Sequence, residues 1–463
     1  MFITQLPPLY SVNPATLECV KEYQQHNEQD IEIRLTRLNV AQKEWIATKF
    51  TERKACMHKL AAELEKIKEH AAETMALEMG KPWAQGIREI SKCAWLCHWF
   101  ADSAEAYLDT EIIPTEYQRS YVQFEPIGNV LAIMPWNFPF WQAFRCAVPA
   151  LMAGNGVVLK HAPSTQGCAE IIEQLFLDAG FPEGLLVHIK IDNNRVKALI
   201  AHPAVNMITF TGSTEAGRIV AKQAADYLKP SVLELGGSDP YLVFDDAMVK
   251  NAVEKCAQSR WLNTGQSCIA AKRIIVLDAI FDEFMAQFLT FARQYSLTNP
   301  SSRSTEGFFV GPMARIDLRD QLAKQVDDSI DLGAHCELGG QIPEAKGAYY
   351  PVTVLSNVSP GMPAFDQELF GPVAAIIRAK DDHQAIALAN TTTYGLGAAI
   401  FTESESRIAQ YPALLQAGNI AINDMVKSDP RLPFGGYNDS GWGKELGLQG
   451  IRAFTRTQTV VQP

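Results

Sequence analysis

The sequence predicts an α/β protein in which two largely parallel sheets follow one another along the chain. Three observations predict it. From about residue 128 to 245 short apolar runs alternate with helical stretches. A second alternation runs from about 246 to 435. Residues 29–110, ahead of both, carry long charged-and-apolar periodicity with few glycines. Strands alternating with helices demand crossover connections, and crossovers make neighbouring strands parallel.

The helical region comes first, and its period of apolar positions is that of amphipathic helices. Within it, Cys93, Cys97 and His98 form a CxxxCH cluster. No second ligand pair follows at zinc spacing, and "KCAWLCHWFADSAEAYL" reads as helix, so no metal is expected. "SYVQFEP" then alternates like a half-buried strand, and "GNVLAIMP" reads as a fully buried one. The runs "GVVLKH", "LLVHIK", "VNMITFTGS" and "SVLELGG" continue the first sheet; "RIIVLD", "PVAAIIRA" and "GNIAIND" belong to the second. The boundary falls near "ELGGSDPYLVFDD". The tail "AFTRTQTVVQP" is strand-like and is expected to pair outside the second core.

Composition narrows the function. The chain has 463 residues, 47% hydrophobic and 20% charged, with a formal net charge of −11. That size supports two or three domains, and the charge argues against a nucleic-acid binder, which needs a basic patch. Nine cysteines stand singly, an odd count with long spacings, which fits a reducing compartment better than a disulfide framework. "MFITQLPPLYSVNPATLE" lacks the basic-then-apolar order of a signal peptide. The most apolar stretch, 130–154, carries three prolines and Arg145, which a membrane span tolerates poorly. A cytoplasmic location is expected.

Four short motifs carry chemistry. "NTGQSC" at 263–268 sets Cys268 behind Gly265, which permits a close turn, and small Ser267, which leaves the sulfur reachable along a flexible approach. "LELGG" at 233–237 ends a buried strand on Glu234. Buried, that carboxyl gains the raised pKa of a useful general base; at the strand end it equally can face solvent. "PWNFP" at 135–139 places Asn137 to cap the helix that Pro139 begins, and its amide can also donate to a developing oxyanion. "FTGSTEAG" at 210–217 joins a strand to a helix whose first free amides can hold a phosphate, although no GxGxxG fingerprint occurs.

Taken in order with "ELFGPV" and "PFGG…SGWGKE", these motifs resemble the aldehyde dehydrogenase superfamily from "NPAT" at 13–16 to the last strand. The resemblance implies that fold: an NAD(P)-binding α/β domain (1–107 and 127–235), a catalytic α/β domain (236–435) and a small β projection (108–126 and 452–463) that makes a homodimer or homotetramer. It also implies the reaction. Cys268 attacks an aldehyde, Asn137 and the Cys268 N–H hold the oxyanion of the thiohemiacetal, hydride leaves for a nicotinamide, and Glu234 activates the water that hydrolyses the thioester. Cofactor contacts carried over are Trp136, Lys160, Ser164 and Gly212, then Ser213, Leu235, Glu368 and Phe370. Where many NAD-preferring members carry a glutamate three residues after that lysine, this chain has Pro163, so NAD or NADP is acceptable.

The substrate follows from Arg145. Residues 137, 141 and 145 drift along one helix face, which puts Trp141 and Arg145 on the side of the oxyanion donor. Its bland reading is a structural salt bridge. The chain most resembles bacterial succinate-semialdehyde dehydrogenases, in which an arginine here grips the substrate carboxylate through two parallel donors. Their second arginine, six residues before the cysteine, is Leu262 here; Arg260 is nearby but two positions displaced, and the loop before "PFGG" offers Lys427, Ser428 and Arg431 to compensate. The redox-switch cysteine of some relatives is Ala270. Glutarate semialdehyde or a plain aliphatic aldehyde would use the same machinery. A CoA-acylating enzyme would lack Glu234, and a non-catalytic structural protein would not need the cysteine, glutamate and asparagine together.

Overall fold

A computed structural model describes residues 6–304 and 306–463; the first five residues of the segment read against a signal peptide lie outside it. The first sheet holds Asn129–Met134 (β1), Gly156–His161 (β2), Leu186–His188 (β3), Met207–Thr211 (β4) and Ser231–Glu234 (β5). The second holds Pro240–Val243 (β6), Arg273–Leu277 (β7), His335–Leu338 (β8), Thr353–Ser356 (β9), Val373–Ala379 (β10), Gly397–Phe401 (β11) and Asn419–Ile422 (β12). Gly441–Trp442 (β13) returns to the first sheet, antiparallel to β5.

The strand orders are β13-β5-β4-β1-β2-β3 and β8-β9-β10-β7-β6-β11-β12. Apart from β13 and β8 every pairing in them is parallel. Each sheet is covered on both faces, so its strands are apolar on both sides. In β1, Val130, Ala132 and Met134 pack into one cluster while Leu131 and Ile133 pack into another. In β7, Ile275 and Leu277 face one layer and Ile274 and Val276 the opposite one. The strict alternation is the two-residue period of a strand.

The helical region resolves into three helices, among them Phe50–Met79 (α1) and Trp83–Tyr107 (α2), of which α2 lines the site. Gly80 ends α1 at φ +77°, where an added Cβ would lie 2.8 Å from the Pro312 carbonyl oxygen. Cys93 and Cys97 are buried on the inner face of α2, whereas His98 meets His58 at the surface, Nδ1 to Nδ1 2.9 Å. No described helix is long and apolar enough to cross a membrane. Glu111–Ile112, Arg119–Pro126 and Thr455–Gln462 form a separate three-stranded antiparallel sheet, so the tail pairs outside both main sheets.

Strand order in the first sheet reverses between β1 and β4. Parallel sheets bind ligands at such a switch point, beyond the carboxyl ends of the strands. Asn137 follows β1, Ser213 follows β4 and Glu234 ends β5, so all three gather there. The segment carrying Cys268 reaches the same place from the second sheet, between Val249–Trp261 (α5, after α3 Pro139–Met152 and α4 Thr214–Asp226) and β7.

Candidate active site

After α5 the backbone turns left-handed. Asn263 (φ 55°, ψ 38°) and Thr264 (φ 56°, ψ 31°) are followed by Gly265 at φ +72°. Each non-glycine residue in that region costs about 1–2 kcal/mol, so something must hold it there. The Asn263 amide donates to the Asn137 carbonyl (2.7 Å) and the Gln266 carbonyl (3.2 Å). Thr264 Oγ1 accepts from Gly311 N (3.0 Å), and Gln266 Oε1 accepts from Ala314 N (2.9 Å). Arg260, wholly buried, donates to the carbonyls of Gly265 and Gly371, both at 2.6 Å. The flexible approach expected of "NTGQSC" is therefore a buried, locked turn. Arg260 is spent on it and does not replace the arginine missing at Leu262.

Cys268 is partly exposed and sits beside the oxyanion donors. One Asn137 Nδ2 hydrogen goes to the Gln266 carbonyl at 3.0 Å, which fixes the amide and leaves its second hydrogen free. The Cys268 N–H has no partner among the described residues. Asn137 does not cap α3, because the N-cap is Phe138. Glu89 of α2 does that work instead: its Oε1 accepts from Phe140 N and Trp141 N at 2.9 Å, and Lys81 pairs with it. A remote carboxylate replaces the cap and releases the asparagine for the site. Burial pushes the Cys268 thiol up to about 12, with Lys272 and Arg145 opposing that rise. Lys272 Nζ donates to the carbonyls of Ser267 (2.9 Å) and Cys268 (2.6 Å) and meets Glu368 Oε1 at 3.1 Å.

Glu234 is buried, and neither carboxylate oxygen has a hydrogen-bond partner among the described residues. Burial raises its pKa well above the carboxylate range, Arg145 pulls it back and Glu445 raises it further. Arg145 is ion-paired with buried Glu445 and stands over the Phe434 ring, 4.8 Å from its centroid. The salt bridge and the site location anticipated for Arg145 thus coexist.

A cavity of about 750 Å³ opens over the sulfur, walled by Cys268, Trp141, Arg145, Leu262, Ser428 and Lys92. Arg145, Trp141 and Ser428 line it, but Glu234 does not; that carboxyl lies near Gly435 and Lys444. Lys427, which also lines the cavity, is paired with Asp424, and Arg431 with Asp429. Lys92 was not singled out by sequence, nor were Lys272 and Glu445. A lysine beside two cysteines on a helix reads as an ordinary solvated position; only tertiary packing turns it inward.

The residues assigned to a dinucleotide lie at the switch point. Lys160, near the end of β2, is buried and donates to Asn193 Oδ1 at 2.5 Å; burial lowers it to about 8, against the pull of Asp192. The hydroxyls of Ser164 and Thr211 are buried without partners. Ser213 caps α4, accepting from Ala216 N at 3.3 Å, so its own hydroxyl is partly engaged. A Cβ on Gly212 would sit 2.5 Å from the Phe210 ring, and Leu235 packs under the first turn of α4 against Gly217. Glu368 accepts from Gly237 N at 3.2 Å, and Phe370 meets Trp136 edge-on at 5.8 Å. Orphan hydroxyls, a buried lysine and a helix start at the ends of parallel strands fit a dinucleotide phosphate and ribose.

A cysteine with two free oxyanion donors, a buried carboxyl and a dinucleotide-type crevice define a class: thiol-based enzymes on a two-sheet α/β frame. The model of the aldehyde dehydrogenase family matches residues 4–460, and the chain belongs to that family of enzymes. It is 42% identical over 460 residues to the succinate semialdehyde dehydrogenase [NAD(P)+] Sad of Escherichia coli, covering 99% of each chain. A probable succinate-semialdehyde dehydrogenase [NADP(+)] of Synechocystis sp. is 41% identical, covering 97% of this chain and 98% of that one. Among solved structures, succinic semialdehyde dehydrogenase from Streptococcus pyogenes, in complex with NADP+, superposes with a TM-score of 0.95 at 30% identity, covering 98% of this chain and all of that one.

Proposed function

We propose that the protein oxidises succinate semialdehyde to succinate with NAD or NADP. The observation that carries the reading is the cavity, which sets cationic side chains on the wall above the nucleophilic sulfur. An aldehyde carbon at Cys268 then directs a distal carboxylate towards them. The curated relatives named for the same substrate over nearly the whole chain support it.

In this reading the Cys268 thiol gives its proton to water in the open cavity and the sulfur bonds to the carbonyl carbon, while the oxygen accepts hydrogen bonds from the free Asn137 Nδ2 hydrogen and the Cys268 N–H. A dinucleotide bound there would supply the hydride acceptor for the oxidation. Lys160, Ser164, Gly212 and Ser213 would hold its adenosine and phosphate end, and Glu368, Leu235, Trp136 and Phe370 its nicotinamide end. Glu234, kept basic by burial, takes a proton from the water that cleaves the thioester. Pro163 and Ser164 put no acid beside Lys160, which supports use of either cofactor.

The three-stranded sheet is proposed as the oligomerisation projection of a cytoplasmic homo-oligomer. The domain division is proposed as 1–107 with 127–235, then 236–435, with 108–126 and 452–463 in the projection. Thr455–Gln462 supports it as a long, largely exposed edge strand, which natural sheets cover.

The test is a steady-state panel of C2–C6 aldehydes and semialdehydes with both cofactors, with and without CoA, on wild type and Arg145→Ala. Succinate semialdehyde is expected to give the highest kcat/KM, with free acid as product and a selective loss in the variant. Equal rates on charged and uncharged aldehydes sink the substrate; a CoA-dependent product sinks the hydrolysis.

A further inference from the structure

The cations of the cavity are not equivalent. Arg145 is neutralised by Glu445, and Lys427 by Asp424. Lys92 and Arg88, both on α2, have no carboxylate partner among the described residues, but Arg88 is exposed to solvent whereas Lys92 is drawn into the wall. Its Nζ donates to Ser428 Oγ at 2.8 Å and lies 4.0 Å from the Trp141 ring centroid. The neighbouring carboxylates are engaged elsewhere, Glu89 with Lys81 and the α3 amides, Asp429 with Arg431. An ammonium drawn from water costs free energy unless an anion or donor-acceptor shell compensates it, and one serine oxygen and one ring supply only part.

The geometry points to Lys92, presented by Ser428 and Trp141, as the residue that binds the substrate carboxylate where Leu262 leaves no second arginine. This rests on the semialdehyde reading above and adds its specificity element. The ammonium has three donors, of which Ser428 uses one, so two remain for a carboxylate. Leu262 lines the same cavity and supplies an apolar wall against the methylene chain. The site thus keeps one arginine tied in an internal pair and replaces the other by a lysine reached from a different helix.

The charge state of Lys92 makes the idea measurable in a second way. Burial lowers its pKa to about 8; Arg145 lowers it further, while Cys93, Glu89 and Asp429 oppose. A cation with a depressed pKa is lost as pH rises through that value, so carboxylate affinity falls above about pH 8. Cys268 titrates too, but it affects charged and uncharged aldehydes alike, and their ratio removes it.

The experiment measures kcat/KM for succinate semialdehyde and for butanal in wild type, Lys92→Met and Lys92→Arg, from pH 6.5 to 9.5. The wild-type selectivity ratio is expected to fall as pH rises through about 8. Lys92→Met is expected to lower it at least tenfold at pH 7 through KM, as loss of a charge-assisted hydrogen bond does. Lys92→Arg is expected to restore the ratio and abolish its alkaline fall. A selective wild type whose ratio survives Lys92→Met overturns the role of Lys92 and leaves the semialdehyde reading standing. A wild type without selectivity overturns both. If Lys92→Met lowers both substrates equally, the lysine is structural and the inference fails.

Discussion

At the scale of single residues, the site combines groups whose protonation burial has displaced from their usual values. The thiol of Cys268 is held up to about 12 in the free protein. Alkylation of Cys268 by iodoacetamide, without substrate or cofactor, should therefore climb about tenfold per pH unit between 8 and 10; a plateau near pH 9 would show an ordinary thiol. Glu234→Gln should still release one equivalent of reduced dinucleotide per site in a rapid burst, then turn over about 10²–10⁴-fold more slowly. A steady rate without a burst would remove Glu234 from the hydrolytic step. Cys268, Glu234 and Asn137 were legible in the sequence because each sits in a short motif next to glycine, proline or a strand end. Their partners were not. Glu445 and Lys92 are separated from them by helices and whole strands, and a sequence period gives the face of a helix but not what packs on it; Lys272 stands only four residues after Cys268, but nothing local shows that its ammonium folds back onto the Ser267 and Cys268 carbonyls. Asn137 shows the same limit: a local rule predicted a cap, and Glu89, far away in sequence, supplied it.

At the scale of elements, the left-handed turn at 263–265 decides where the sulfur points. Gly265 is the one position there with no room at all, since an added Cβ would stand 2.2 Å from the Gly371 carbonyl oxygen. Gly265→Ala should cost about 1–3 kcal/mol and lower kcat more than it raises KM, read by thermal melting and steady-state kinetics. A variant with native melting and native kcat would show that the turn is dispensable. The turn was half legible. "TGQ" announced a bend, and asparagine tolerates positive φ, but Thr264 carries no signal for it; its conformation is held by Gly311 on its hydroxyl, beside Gln85 on the Asn263 N–H and Ala314 on Gln266.

At the scale of the whole molecule, the two parallel sheets were the most legible feature, because buried strands write continuous apolar runs and helices separate them. The two-residue strand β13 was not, since Gly441–Trp442 has no pattern to read and acquires its partner across the fold. Removing residues 455–463 should give a species of lower mass by light scattering after size exclusion, because Arg119–Pro126 loses its long partner. Retention of the full-length assembly would place the interface elsewhere.

Strand β13 and Glu445 also set a clock. Trp442 pairs with Leu233, Gly441 with Glu234, and Glu445 with Arg145, so residues 441–445 finish a wall begun two hundred residues earlier. At about 5–20 residues per second, a ribosome delivers the nucleophile well before that wall can close. A nascent chain that has emerged only to the end of β12 carries Cys268, Asn137 and Glu234 with Arg145 unpaired. Until residues 441–445 join it, the site lacks the wall that β13 supplies and the carboxylate that pairs with Arg145.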